Sequence, residues 1–132
     1  MVKKNSDIAF LFDLDGVIID TESQYDQFWS EAGKVYNSGI DNFEKVIKGT
    51  TLPNIISRYF SHLSVEKRKE LEVANHTFDL QLDIIPIPGA LDFLIESKKA
   101  GIKTGLVTSS DNEKLEMVFR DKGSVFNLLC RK

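Results

Sequence analysis

Residues 10–22, FLFDLDGVIIDTE, decide the fold, because a short apolar strand ends there in two acids and a glycine. The apolar run Ile8–Phe12 has no polar alternation, which predicts a strand buried on both faces of a parallel sheet. Asp13 and Asp15 follow it, and positions two apart in extended chain lie on the same side, about 6.5 Å apart. Gly16 then permits either a tight turn with positive φ or a close approach of the backbone.

Two carboxylates on one side of a strand end can take different roles in catalysis. One carboxylate can act as a nucleophile or metal ligand while the other moves a proton. A divalent cation, by oxygen preference Mg²⁺, would offset their repulsion and favour a phosphate-bearing substrate. An Asp-x-Asp pair alone is weak evidence, so the prediction depends on a second motif.

The second motif follows the second predicted strand. Residues 102–107 predict that strand, which ends at Thr108-Ser109-Ser110, and Ser110 has the capping-box spacing of a helix start. Hydroxyl and N–H groups at a helix start can bind an anion, although such a sequence is often only a cap. We expect the Thr108 side chain and the Ser109 N–H to hold a phosphoryl oxygen. Both motifs lie at carboxyl ends of strands, where open α/β sheets bind ligands.

The chain between the two strands reads as helices. Residues 21–84 carry apolar stripes at steps of three and four, and a Pro- and Gly-rich connector, residues 85–89, follows. The remaining order, β–α–β–α, predicts an α/β fold: a partial Rossmann-like parallel-sheet core from residues 1–20 and 85–132, with an inserted helical cap at 21–84. Thr21 is either a cap for the first helix or a site residue.

Composition and charge exclude several functions. The 132 residues carry a formal charge of −3, which gives no electrostatic case for nucleic acid or an anionic membrane. No apolar stretch approaches the length of a membrane span. Cys130 is the single cysteine, so we expect no internal disulfide and a cytoplasmic location. The oligomeric state stays open.

Several motifs together resemble one family. Phe12–Val17 (FDLDGV) followed by Asp20–Glu22 (DTE) resembles the first motif of the haloacid dehalogenase-like hydrolases, and most closely the β-phosphoglucomutase-like phosphatases with a helical cap. Val107–Ser110 resembles their second motif, and Lys48–Thr51 resembles the substrate loop of their cap. The resemblance covers nearly the whole chain.

The resemblance implies a Mg²⁺-dependent phosphatase that acts on a small phosphorylated metabolite. Asp13 would attack phosphorus to form an aspartyl-phosphate, and Asp15 would protonate the leaving oxygen and then activate water. The Asp13 carboxylate and the Asp15 backbone carbonyl would bind Mg²⁺. Thr108 and Ser109 would hold the phosphoryl group.

The resemblance also assigns substrate contacts to the cap, where Lys48, Gly49 and Thr50 are the candidates beside Thr21. Two departures bear on the reaction. Tyr25 stands where the mutases of this family have a histidine, and Leu52 stands where they have an arginine. Both changes favour a hydrolase over a sugar-phosphate mutase, which remains an alternative.

Another departure concerns the end of the chain. Relatives continue to a third-motif lysine and a fourth-motif acidic pair, whereas this chain has no acid after Asp121. We therefore expect a truncated chain, poorly ordered after about residue 124. An inactive fragment or pseudoenzyme, or an interaction module using an exposed sheet edge, remain alternatives. Lys114, Lys122 and Lys132 are expected on a solvated face rather than in place of the missing lysine.

Overall fold

The computed structural model describes residues 8–121. These form two compact units, which we call the sheet unit (described residues up to Thr21 and from Asp83 onward) and the insert unit (Glu22–Leu82). The sheet unit contains strands β1 (Ala9–Phe12) and β2 (Lys103–Leu106) with helices α5 (Ala90–Lys99) and α6 (Asn112–Asp121); the insert unit contains α1 (Glu22–Val35), α2 (Phe43–Val46), α3 (Leu52–Tyr59) and α4 (Val65–Leu80). The predictions for Lys122, Cys130, Lys132 and the chain after about residue 124 lie outside the described residues.

The two strands pair in parallel. Their register sets Ala9 opposite Lys103 and Phe12 opposite Leu106, so both strands end at the same level. A parallel pair needs a crossover, and helix α5 precedes β2 in the chain. The predicted α/β class with a parallel sheet is therefore confirmed.

The expectation that β1 is buried on both faces is wrong. Leu11 is 70% exposed, whereas Phe10 and Phe12 on the opposite face are half-buried. Their rings lie 5.7 and 5.9 Å from the ring of Phe93 on α5. Helix α5 therefore covers one face of the strand, and the Leu11 face stays open in the part of the chain that the structure describes.

A tight turn after β1 separates apolar from acidic side chains. Gly16 has φ of 76°, and its N–H donates to the carbonyl of Ile19 at 2.8 Å. The turn sends Leu14 and Ile18 into the core, where they are 0% and 1% exposed. The positive φ expected at Gly16 is confirmed. The buried residues of this core are Leu14, Ile18, Ile19, Leu94, Val118 and Phe119.

The insert unit has its own core. Trp29 and Ala32 of the predicted apolar stripe on α1 are buried in it. Gly33 lets α1 lie close to Phe43 of α2, since a Cβ at this position would lie 2.9 Å from the Phe43 side chain. Ser64 caps α4 as its sequence suggests, because its hydroxyl accepts the N–H of Lys67 at 3.2 Å. Within residues 8–121, no helix has the length and apolar character needed to cross a membrane.

Candidate active site

The two chemically loaded segments begin where the sheet ends. The N–H of Val107 donates to the carbonyl of Phe12 at 2.8 Å, which extends the strand pairing by one residue. Asp13 follows on one strand and Thr108 on the other. Asp13 is exposed, and its Oδ1 accepts the N–H of Leu14 at 2.7 Å. The parallel register thus places both predicted motifs at one edge.

The Asp15 carboxylate is surrounded by hydrogen-bond donors. Its Oδ1 accepts the Thr21 hydroxyl at 2.8 Å, and its Oδ2 accepts the Ser110 hydroxyl at 3.1 Å. The ammonium of Lys114 lies 2.8 Å from Oδ1 and 2.9 Å from Oδ2. Thr21, six residues after Asp15, and the distant segment Ser110–Lys114 therefore converge on one carboxylate.

The expected solvated position of Lys114 is wrong. This side chain is 4% exposed and pairs with Asp15. The reason is helical geometry, because Lys114 precedes buried Val118 by four residues and shares its face of α6. Lys114 also lies in the first turn of α6, where a positive charge opposes the helix dipole. This unfavourable position was a signal in the sequence that the lysine has a specific partner, and sequence reasoning missed it.

The start of α6 lies one residue later than the capping box suggested. Asp111 supplies the cap, since its Oδ1 accepts the N–H of Lys114 at 2.9 Å. The Ser110 hydroxyl bonds to Asp15 instead, and the Ser110 N–H donates to the Thr108 hydroxyl oxygen at 3.1 Å. Prediction by spacing alone could not choose between Ser110 and Asp111, because both are good capping residues.

Thr108 and Ser110 open onto a cavity in the sheet unit, while Ser109 between them is exposed. Its volume is about 320 Å³, and its lining includes both polar residues with hydroxyl, amide or carboxyl groups and apolar residues. A cavity of this size accommodates a small ligand. Its lining residues are Leu106, Thr108, Ser110, Asn112, Leu115, Glu116 and Phe119.

The cap-loop candidates lie in the insert unit. Lys48 forms an ion pair with Glu22 and lies 3.5 Å from Asp26. The hydrogen bond from Lys48, with its charge, holds the pKa of the Glu22 carboxyl below its usual 4.5, and the same bond raises the pKa of Lys48. Gly49 follows with φ of 77°, and Thr50 is half-buried.

Tyr25 also has a polar partner within the insert unit. Its hydroxyl donates to Asp79 Oδ1 at 2.6 Å, and its ring lies edge-on to Phe78 at 5.5 Å. Leu52, the other departure from the mutase pattern, is half-buried against the core of this unit.

Metal ligands are sparse among residues 8–121. No group of three or more His, Cys, Asp or Glu side chains comes together there in a way that could hold a metal ion. The donors that the predicted metal site would use are the exposed Asp13 carboxylate and the backbone carbonyl of Asp15.

Comparison with known proteins defines the class. A sequence model described as haloacid dehalogenase-like hydrolase matches residues 10–129. The chain therefore belongs to the haloacid dehalogenase-like hydrolase family. Members of this family generally use Mg²⁺.

Solved structures share the fold. One is a haloacid dehalogenase-like hydrolase of family IA, variant 3, from Entamoeba histolytica, with 22% identity and a TM-score of 0.71 over 95% of this chain. A β-phosphoglucomutase-like protein from Bacteroides vulgatus has 26% identity and a TM-score of 0.67 over 94% of this chain. CbbY from Rhodobacter sphaeroides, in complex with phosphate, has 22% identity and a TM-score of 0.61 over 85% of this chain.

The matched proteins are longer than this chain. The aligned part spans 61%, 54% and 55% of those three structures, respectively. The chain thus spans between half and two thirds of the proteins that it resembles.

Proposed function

We propose that this chain contains the part of a Mg²⁺-dependent phosphatase that includes its nucleophile. The phosphatase would hydrolyse a small phosphorylated metabolite through an aspartyl-phosphate intermediate. The observation that carries the proposal is the meeting of Asp13, Asp15, Thr108 and Ser110 at one edge of a parallel sheet. Similarity to CbbY, whose structure is a complex with phosphate, supports a phosphorylated ligand.

Asp13 is assigned as the nucleophile. Its Oδ1 accepts the Leu14 N–H, which orients the carboxylate so that Oδ2 can attack phosphorus. The phosphorus–oxygen bond to the leaving group breaks as the aspartyl-phosphate bond forms, and a proton passes from Asp15 to the leaving oxygen. Water then attacks phosphorus and gives a proton to Asp15 as the bond between phosphorus and the Asp13 oxygen breaks, which releases inorganic phosphate and restores the Asp13 carboxylate.

Thr108 and Ser109 are assigned to the phosphoryl group. The Thr108 oxygen already accepts the Ser110 N–H, so its hydroxyl hydrogen is directed away from that bond and can donate to a phosphoryl oxygen. Ser109 is exposed beside it, at a position from which its backbone N–H can act as a second donor.

The residues present suit Mg²⁺ as a cofactor that arrives with the substrate. In proteins Mg²⁺ commonly binds one or two carboxylates together with substrate phosphate oxygens and several waters. The Asp13 carboxylate and the Asp15 carbonyl are the two protein ligands that we assign. When bound, the ion would neutralise negative charge on the phosphoryl oxygens.

We assign residues 21–84 as the cap, with Lys48, Gly49 and Thr50 as its substrate contacts. The ion pairs of Lys48 with Glu22 and Asp26 hold its ammonium near the start of α1, and a substrate phosphate could compete for it. Thr21 is assigned to the site rather than to a cap, because its hydroxyl donates to Asp15.

A hydrolase is favoured over a sugar-phosphate mutase. A mutase needs a second acid–base group that transfers protons to and from the substrate. Tyr25 stands at the position of the mutase histidine, and its hydroxyl already donates to Asp79. Water would then be the acceptor of the phosphoryl group.

One observation supports the alternative of an inactive fragment. Among residues 8–121, no three or more His, Cys, Asp or Glu side chains come together to hold a metal ion.

Asp13→Asn tests the nucleophile. With Mg²⁺ and an aryl phosphate we expect this variant to lose at least about a thousandfold in kcat, because an amide cannot form the acyl phosphate. Asp41→Asn is the matched control, since Asp41 is exposed in the insert unit and should leave the rate unchanged. Hydrolysis that survives Asp13→Asn would contradict the assignment. A folded wild-type chain without turnover would support the inactive fragment.

A further inference from the structure

Lys114 is a buried cation that forms an ion pair with the Asp15 carboxylate. It is 4% exposed, and its ammonium contacts both oxygens of Asp15, whose side chain is 31% exposed. Burial of an ammonium is costly unless it is paired, and its place in the first turn of α6 sets it against the helix dipole. A residue that served only packing at this position would be apolar.

The contacts of Asp15 occupy its carboxylate fully. A carboxylate offers about four lone-pair sites. Lys114 takes one on each oxygen, Thr21 takes a second on Oδ1, and Ser110 takes a second on Oδ2. The two hydroxyls can rotate away during a reaction, whereas an ammonium can only donate.

Asp13 has a different environment. It is exposed, and its carboxylate accepts a hydrogen bond from the neighbouring backbone N–H of Leu14. The two acids lie two residues apart, and the buried ammonium of Lys114 contacts both carboxylate oxygens of Asp15. Their side chains are therefore unequal partners for a divalent ion.

We propose that Lys114 is a positioning residue that gives the two acids different roles. Its ammonium prevents the Asp15 carboxylate from binding a divalent ion, so that the Asp13 carboxylate is the side chain that binds the ion. Asp15 then keeps the orientation given by Thr21 and Ser110, with its side chain reserved for proton transfer. This inference uses the acid pair of the proposed function, but its test requires no hydrolysis.

Lys114→Met in the full chain tests the proposal, because it removes the charge and keeps most of the apolar stem. In EDTA we expect its Tm to fall by on the order of 10 °C, since Asp15 loses its buried partner. Mg²⁺ should then raise its Tm more than that of the wild type. By calorimetry the variant should bind Mg²⁺ on the order of tenfold more tightly, because two adjacent carboxylates become available.

Two variants separate this role from ordinary stabilisation. Lys114→Met combined with Asp15→Asn should lose the added Mg²⁺ response, because the second carboxylate is gone. Lys98→Met, on the exposed side of α5, should behave as the wild type. A Lys114→Met variant with a lower Tm but no stronger response to Mg²⁺ than the wild type would overturn the proposal.

Amine labelling of the wild-type chain tests the proposal even if Lys114→Met does not fold. Acetylation followed by mass spectrometry should modify Lys114 far more slowly than Lys98, and Mg²⁺ should leave that difference unchanged. Faster modification of Lys114 in Mg²⁺ would mean that the metal displaces its ammonium from Asp15, and would overturn the proposal. A failure of Asp13→Asn to abolish hydrolysis would leave these results unaffected.

Discussion

Asp15 shows how far single residues could be understood from sequence. Its place after an apolar run and two residues beyond Asp13 predicted a polar sheet edge, because strand geometry is local. Its partner Lys114 is 99 residues away, and nothing local connects the two. Only the burial of one face of α6 brings the ammonium to the carboxylate. Long-range pairing of this kind is what sequence patterns specify least.

Thr21→Val tests the hydrogen bond to Asp15 at the scale of one atom. Thr21 is 0% exposed, and valine keeps its shape while removing the donor. We expect the free energy of unfolding to fall by about 2 kcal/mol, because a hydrogen bond to a charged acceptor is lost in a buried place. Denaturant unfolding measures this change.

Thr51→Val is the matched control for that experiment. Thr51 is exposed at the start of α3, where its side chain makes no capping hydrogen bond. The free energy of unfolding should change by less than about 0.5 kcal/mol. Equal losses in the two variants would show that the Thr21 hydroxyl contributes nothing through Asp15.

At the scale of elements, helix positions followed from apolar periodicity and capping residues. Ser64 before α4 and Pro53 in the first turn of α3 are local signals that the structure bears out. Strand β1 was harder, because an apolar run does not say how many faces are covered. Leu11 is apolar and exposed, so composition alone overstates burial.

The ion pair between Lys48 and Glu22 joins the loop after α2 to the start of α1. Because the pKa of Glu22 is lowered in the folded chain, the pair contributes stability above pH of about 4.5. That contribution is lost as the pH falls through the lowered pKa. In Lys48→Met we expect the Glu22 pKa to return toward 4.5, as followed by an NMR titration of its side-chain carboxyl.

Lys45→Met is the control for this titration. Lys45 is exposed on α2, and its loss should leave the Glu22 pKa at the wild-type value. A Glu22 pKa that is the same in Lys48→Met and in the wild type would show that the ion pair does not persist in solution.

At the scale of the whole molecule, each unit has a separate apolar core. The boundary predicted at residues 20 and 85 differs by one or two residues from the division into units. The domain boundaries were predicted from the change between strand and helical periodicity, which is a local signal in the sequence. How the proposed cap would meet a substrate depends on contacts that no local pattern encodes.

Leu71→Ala and Leu94→Ala test this separation, because both residues are 0% exposed, one in each core. Each substitution should cost about 2–5 kcal/mol through the cavity it leaves. Amide hydrogen exchange should speed up mainly in the insert unit for Leu71→Ala and mainly in the sheet unit for Leu94→Ala. Equal loss of protection in both units from either variant would mean that the chain unfolds as one.

The segments that lead into and out of the insert unit are joined to each other. The N–H of Asp20 donates to the carbonyl of Ile85 at 2.6 Å, and the N–H of Ile87 donates to the carbonyl of Ile18 at 2.8 Å. The chain therefore leaves the sheet unit and returns to it at adjacent positions, and a short turn could connect these two segments directly. A gene could exchange the intervening residues for another sequence without stretching either strand, so the insert unit can change in evolution while Asp13 and Asp15 stay in place.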